Sequence, residues 1–385
     1  MFSPESGMIY FDHNATGPLL PAAREAWLQA VDQFIGNPSS PHRVGSRADA
    51  ALTDARSRLA RLVGCDPLDL VWTSGATEGA NQVFHHFARV LPADAPVWIS
   101  GIEHPCVTAS ASHYFGTRTR LIPVTSGGVV DLNWIESEIR RERPGLVAVM
   151  AANNVTGVLQ PWAAVAELCR NRETPFFCDA AQWTGRLSSQ GLGACDFVSG
   201  CAHKAGGPRG IGFLKCPAKG RVEPLVLGGP QEEDRRAGTE NVAGALALVA
   251  ALEAREKILP GSGVRGIWRD HFEKRLAALL PGSSVVGEGS PRLWNTSAIL
   301  MPEVDCRQRW VVKLDKLGFA VSTGSACSSG KEEPSPVLLA MGQTPAQAAR
   351  MLRFSAGWET TEKEWDALLE GAVQAARELA GIMAA

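Results

Sequence analysis

The sequence predicts an α/β fold: a mostly parallel sheet with helices on both faces, followed by a smaller α+β C-terminal domain. Three observations predict it. Short apolar runs alternate with stretches of helical spacing, the pattern of a sheet buried on both sides. Each run ends in a turn with a polar, ligand-type residue. From about residue 255 the texture changes to helix, strand, helix, strand and a long closing helix.

Taken in order, DLVWTSGAT (69–77) reads as a strand that ends in a turn. APVWISGIEH (95–104), GLVAVMAANN (145–154), TPFFCDAAQ (174–182) and CDFVSGCAHK (195–204) repeat that form, and GIGFLKC (210–216) is a further strand. LNWIESEIRRE and WAAVAELCRNR between them have helical spacing. In the C-terminal part, GSGVRGIWRDHFEKRLAALL reads as a helix, WNTSAILMP as a strand, CRQRWVVKLDKLG as a helix and FAVST as a strand. TEKEWDALLEGAVQAARELAGIM closes the chain as an amphipathic helix.

The bulk numbers exclude several classes. The 385 residues are 45 % apolar, enough for a sizeable core. Thirty-eight basic and 40 acidic residues leave a formal charge of −2, with no long block of one sign. Neither direct nucleic-acid binding nor an anionic membrane surface is therefore expected. No apolar run is long enough to span a bilayer, and the N-terminus has no signal-peptide pattern. Nine scattered cysteines, without a CxxC pair, argue against a disulfide framework or a zinc site and fit a reducing cytoplasm.

The strand ends carry Thr77, His104, Asn154, Asp179, His203 and Lys204. In open α/β sheets ligands bind outside the carboxyl ends of strands, so these residues predict one shared site. TSGATEGAN places small residues between a strand and a helix start, where backbone N–H groups and the positive helix end form a phosphate cradle. Asp179 and Lys204 end successive strands. An amine there can attack a carbonyl, and a carboxylate facing a pyridine nitrogen keeps it protonated. Lysine, aspartate and cradle together describe pyridoxal 5′-phosphate, whose ring is an electron sink. The run VSTGSACSS (321–329) adds one thiol, Cys327, among small polar residues. An exposed thiol is an oxidation liability unless it has a use.

YFDHNATGPL, GNPSSPHRVG, SGATEGAN, EHPCV, NNVTGVLQP, CDAAQWTGRL, GCAHKAGGPRGIGFL, RRAGTENVAG, VSTGSACSSG and LRFSAG occur in this order from about Ile9 past Phe354. On these motifs the chain resembles the NifS/IscS-type cysteine desulfurases of the class V aminotransferase superfamily. The resemblance implies the fold-type I architecture of pyridoxal-phosphate transferases, with a seven-stranded sheet. It implies a large domain over 15–255 and a small one from 1–14 and 256–385. It also implies roles. Lys204 would hold the cofactor covalently, Asp179 would pair with the ring nitrogen, and Gln182 would bond the phenolic oxygen. His104 would stack on the ring and move protons. Ala76, Thr77, Cys201 and His203 would bind the phosphate, and Thr239 would reach the partner subunit's phosphate in a homodimer. Asn154 would orient ring or substrate, and Arg353 would grip the carboxylate of L-cysteine. Asn37 and His42 would line the entrance. Cys327 would take the sulfur as a persulfide, release alanine and pass the sulfur to an acceptor protein. That acceptor would serve iron–sulfur cluster assembly or nucleic-acid thiolation.

The chain departs from the family pattern at four places: Cys201 where Ser is usual, Val155 where the pattern has Glu, the acidic GGPQEEDRRAGT, and small Ala205 and Gly206 after the lysine. The alternatives are a selenocysteine lyase, another class V enzyme such as an aminotransferase or epimerase, and a non-catalytic scaffold of the same fold. A transaminase has no need of Cys327, and a scaffold none of Lys204, Asp179 and Arg353.

Overall fold

The computed structural model describes residues 7–218, 222–303, 307–323 and 334–379. The chain enters through β1 (Ile9–Tyr10), α1 (Pro21–Gln33) and α2 (Arg43–Val63). Then follow β2 (Leu70–Thr73), α3 (Ala76–Val90), β3 (Val97–Ser100), α4 (Pro105–Phe115), β4 (Thr119–Ile122), α5 (Leu132–Glu138), β5 (Leu146–Ala148), α6 (Trp162–Arg170), β6 (Phe176–Asp179), β7 (Phe197–Cys201) and β8 (Gly212–Lys215). α7 (Val242–Glu256) and α8 (Ser262–Leu279) lead to β9 (Ser284–Val285), β10 (Thr296–Leu300), α9 (Arg307–Lys316) and β11 (Phe319–Ala320). α10 (Pro336–Ala340), α11 (Pro345–Ala348), β12 (Met351–Ser355) and α12 (Glu362–Leu379) follow.

Seven strands form one sheet in the order β2-β8-β7-β6-β5-β3-β4. Only β8 runs against its neighbours, so the sheet is mostly parallel. Successive residues point to opposite faces, and both faces are apolar. Trp98, Val147, Phe176, Cys178 and Val198 pack on one side with α2, α6 and α7. Val97, Ile99, Leu146, Phe177 and Leu214 pack on the other with α3 and α4. Fully burying one such side chain contributes about 1.5–3 kcal/mol. The strand at the β4 edge escaped the sequence reading. Its Thr119, Arg120 and Leu121 are all at least partly exposed, so it lacks the apolar run that marks its neighbours.

A second, three-stranded sheet, β12-β10-β9, is antiparallel. β1 pairs with β11, and Phe11 packs among Phe272, Trp310, Phe354 and Trp365. The first described residues thus join the C-terminal half of the chain.

The acidic segment after Pro230 has an unusual backbone. Glu232, Glu233 and Asp234 adopt φ of 52°, 56° and 63° in succession, a region that costs an L-residue about 1–2 kcal/mol. Tertiary bonds impose it. The buried Glu232 carboxylate makes a bidentate pair with Arg56, at 2.8 Å for both oxygens, and accepts the Trp72 N–H. Beyond the turn, Arg236 bonds Glu78 and Gln82 donates to the Arg235 carbonyl. Asp234 is exposed, and among the described residues its side chain makes no hydrogen bond or ion pair that would justify the strain. Asp234→Gly is therefore expected to raise unfolding free energy by about 1 kcal/mol in a urea titration.

Candidate active site

The carboxyl ends of β2, β3, β5, β6 and β7 open onto a cavity of about 1240 Å³. Thr77, His104, Asn154, Asp179, His203 and Lys204 all line it, as do Ala76, Cys201 and Arg353. A parallel sheet explains the convergence, because every parallel strand delivers its following loop to the same edge.

The anion end lies at α3. This 15-residue helix has Gly75 as its N-cap and no side-chain cap, leaving its first-turn N–H groups to a ligand. Gly75 approaches the sheet so closely that a Cβ on Gly212 would stand 2.6 Å from its Cα. Glu78, in that first turn, would repel an anion, but its carboxylate is engaged. It accepts from Arg236 Nε at 2.8 Å and from the Ser74 N–H at 2.8 Å. Cys201 packs against Ala76 and Ala181 and is buried. Burial pushes its thiol pKa up, so it stands there as a small neutral side chain.

Asp179 closes β6 and is 5 % exposed. Its Oδ1 accepts the Ala181 N–H at 2.9 Å and the Ser199 hydroxyl at 3.5 Å. Among the described residues no cation pairs with it. His104 caps α4, its Nδ1 accepting the Cys106 N–H at 3.1 Å, which puts the neutral ring's proton on Nε2. Burial first and the charge of Lys204 second hold His104 below its ordinary pKa, against the pull of Asp179. The imidazole is thus neutral at pH 7. His203 is lowered to about 4, by burial and then by Lys204, Arg209 and Arg186.

Arg353 stands on β12, 1 % exposed. Nη1 donates to the Asn154 carbonyl at 2.9 Å and Nη2 to Asp12 at 2.7 Å, while the buried Nε has no partner among the described residues. Asn14 knits the same corner. Its Nδ2 donates to the Asn154 carbonyl at 3.2 Å and to Thr296 at 3.0 Å.

Other sequence candidates lie elsewhere. Asn37 is exposed and its Oδ1 accepts the Ser39 N–H. His42 is the exposed N-cap of α2. Thr239 is exposed, on the segment joined to α3 through Arg236 and Glu78. None of the three lines the cavity of this chain. Gln182 is 2 % exposed and is not among the lining residues; Nε2 donates to the Asn14 carbonyl at 3.0 Å and Oε1 is buried without a partner among the described residues. Cys327 lies outside the described residues. Val155 joins an apolar cluster with Ile102, Val337 and Met341. Ala205 is held tightly: a Cβ on Gly185 would meet its Cβ at 2.7 Å, and Arg255 Nε donates to its carbonyl. That packing favours a small residue after Lys204. Glu103, Asn14 and Arg209 line the cavity without a role in the sequence reading. Glu103 and Asn14 lie inside quoted motifs, next to the residues that drew attention.

The donor set fits pyridoxal 5′-phosphate. An uncapped helix start suits its phosphate, a buried carboxylate lacking a cation suits its pyridinium nitrogen, and an amine on the same wall suits its aldehyde. The unpartnered buried amide oxygen of Gln182 marks unmet hydrogen-bonding capacity near Asn14. Among the described residues no cluster of His, Cys, Asp or Glu could hold a metal ion.

Comparison with known proteins agrees with this geometry. The model of the family Aminotransferase class-V matches residues 9–368. A cysteine desulfurase of Klebsiella pneumoniae is 38 % identical over 362 residues, 93 % of this chain and 90 % of that protein. A NifS-like protein from Rickettsia africae superposes with a TM-score of 0.85 at 27 % identity, covering 97 % of this chain and 99 % of its own. A further structure named NifS-like protein gives 0.86 at 28 % identity, covering 95 % and 98 %. The chain belongs to the class V aminotransferase family, among its pyridoxal-phosphate-dependent cysteine desulfurases.

Proposed function

We propose that this chain moves the sulfur of L-cysteine onto Cys327 and hands it to an acceptor protein, working as a homodimer. The observation that carries the reading is the single cavity lined by Lys204, Asp179, His104, Asn154 and Arg353. When bound, pyridoxal 5′-phosphate supplies an electron sink that weakens bonds at the substrate's Cα and Cβ. Lys204 would hold it through its amine and, once displaced, would carry the proton to or from the substrate's α-carbon. Asp179 would hold the ring nitrogen, and the α3 N-terminus with Thr77, Cys201 and His203 would hold the phosphate; Gln182, which now donates to the Asn14 carbonyl, would bond the phenolic oxygen by turning its amide toward the cavity. Arg353, aimed by Asp12 and the Asn154 carbonyl, binds the substrate carboxylate through its fork. Neutral His104 moves a proton at Nε2.

Cys327 Sγ, as thiolate, attacks the substrate sulfur. The new S–S bond forms as the Cβ–S bond breaks; its electron pair stays on Cβ, which takes a proton and leaves as L-alanine. Two features favour Cys327. Burial raises the thiol pKa of the cavity cysteines Cys106 and Cys201, which makes both poor nucleophiles. Both described anchors of its segment also flank the site. Ser322 exchanges backbone bonds with Arg353, Pro334 lines the cavity, and four residues of chain reach about 14 Å from Thr323.

A homodimer is supported by apolar side chains left exposed on and after α1, such as Leu28, Val31 and Ile35, and by the exposed Thr239. In such a dimer Thr239, Asn37 and His42 would serve the partner's site. The domains divide as 15–255 and 1–14 with 256–385, supported by the β1–β11 pairing. No helix of the described residues is long and apolar enough to cross a membrane. The described cysteines are all unpaired, which favours the cytoplasm. The acceptor is a scaffold of iron–sulfur assembly or a nucleic-acid thiolation enzyme. Purified protein given L-cysteine and a thiol reductant should release sulfide and alanine in equal amounts, and sediment as a dimer. Alanine without sulfide would refute the reading.

A further inference from the structure

Glu103 ends the loop after β3 and immediately precedes His104. It is 5 % exposed and lines the cavity. Its Oε1 accepts the Ser100 hydroxyl at 2.6 Å and the Met150 N–H at 2.7 Å. Its Oε2 is buried and has no hydrogen-bond partner among the described residues. No Lys, Arg or His there forms an ion pair with it. A buried carboxylate with one empty oxygen and no cation is costly, and the neutral carboxylic acid, though its O–H also lacks a partner, costs far less there.

The Oε1 bonds join two loops. One runs from Ser100 to His104; the other follows β5 from Met150 to Asn154, and Asn153 Nδ2 reinforces the join by donating to the Ile102 carbonyl at 2.9 Å. The loops that carry His104 and Asn154 are thus tied by Glu103 Oε1 and by Asn153. We propose that Glu103 is a positioning residue that works as a neutral carboxylic acid: Oε1 ties the His104 loop to the Asn154 loop, and the proton on Oε2 keeps Asp179 the single anion at this end of the cavity. The consequence for catalysis rests on the function proposed above, but the protonation state does not.

The groups around it are consistent. Asp179 and Cys178 at the end of β6 and Cys106 on α4 are the titratable groups whose charge acts on it or is acted on by it. Burial keeps both thiols neutral, so among the described residues the negative charge acting on Glu103 is that of Asp179. Lys204 acts on His104 and Cys106 across the same space. Burial, aided by Asp179 and opposed by the Ser100 and Met150 hydrogen bonds, raises the Glu103 carboxyl to about 8. Between the ordinary value of 4.5 and about 8 the folded chain holds a proton that the unfolded chain lacks. Glu103 therefore takes stability away as pH rises across that window, and the loss levels off above it.

The test is infrared spectroscopy of the full-length, cofactor-bound protein, wild type against Glu103→Gln. The wild type should show the carbonyl stretch of a protonated carboxyl at neutral pH. The band should be missing from the variant and fade in the wild type as pH passes about 8. In parallel, the melting temperature of Glu103→Gln relative to wild type should climb between about pH 5 and about pH 8. Carboxylate bands already present for Glu103 at neutral pH, or a melting difference that is flat with pH, would overturn the proposal. Should the variant not fold, the wild-type titration decides: loss of a protonated-carboxyl band near pH 8 supports the proposal, and no such band contradicts it. Sulfide release enters neither measurement, so a failure here is distinct from a failure of the cysteine desulfurase reading.

Discussion

Lys204→Ala should lose sulfide release by on the order of 10³-fold or more, since it removes both the covalent hold on the cofactor and a proton-transfer group. Lys204 follows β7 in a short turn where the Ala205 and Gly207 N–H groups both bond the Ala202 carbonyl. The backbone around it is therefore fixed, and the fold should survive loss of the side chain. Borohydride should fix the cofactor to the wild-type chain and not to the variant. Asp179, with no cation of its own among the described residues, should still retain some cofactor non-covalently in Lys204→Ala. Covalent fixation in the variant would mean that another amine holds the cofactor.

Cys327→Ser should abolish sulfide release to a comparable degree, at least about 10³-fold, while keeping the cofactor's colour and its spectral response to L-cysteine. A serine hydroxyl has the size of the thiol but is not ionised at neutral pH and is a poor nucleophile toward sulfur. The cavity thiols should not substitute. Cys106 Sγ lies 3.1 Å from His104 Nδ1, yet burial holds it well above the range where thiolate forms. Full sulfide release from Cys327→Ser would place the acceptor sulfur elsewhere.

Most of the sheet is legible in the sequence because its strands are buried on both faces. Leu70–Thr73, Phe176–Asp179 and Phe197–Cys201 are buried at every position and mostly apolar for that reason. β4 is hidden because it is an edge whose Arg120 points to Glu138 and Glu142 on the surface. The strand-end residues are legible for the same reason as the strands: parallel topology gathers whatever follows each run. What cannot be read locally is long-range pairing. Arg353 finds Asp12 across 341 positions, and Glu232 finds Arg56 across 176. No spacing rule connects them. Glu103 was hidden differently. An acidic residue beside a histidine suggests a solvated turn, and only burial shows that its second oxygen is alone. Thr239, Asn37 and His42 carry no signal within one chain, because the cavity of one chain does not include them.

The central claim is that sulfur passes through Cys327. One equivalent of L-cysteine without reductant, followed by alkylation, digestion and mass spectrometry, tests it directly. The account predicts one extra sulfur on the peptide bearing Cys327 and an equal yield of alanine. Extra sulfur on Cys106 or Cys201, or alanine with no sulfur on the protein, would contradict it.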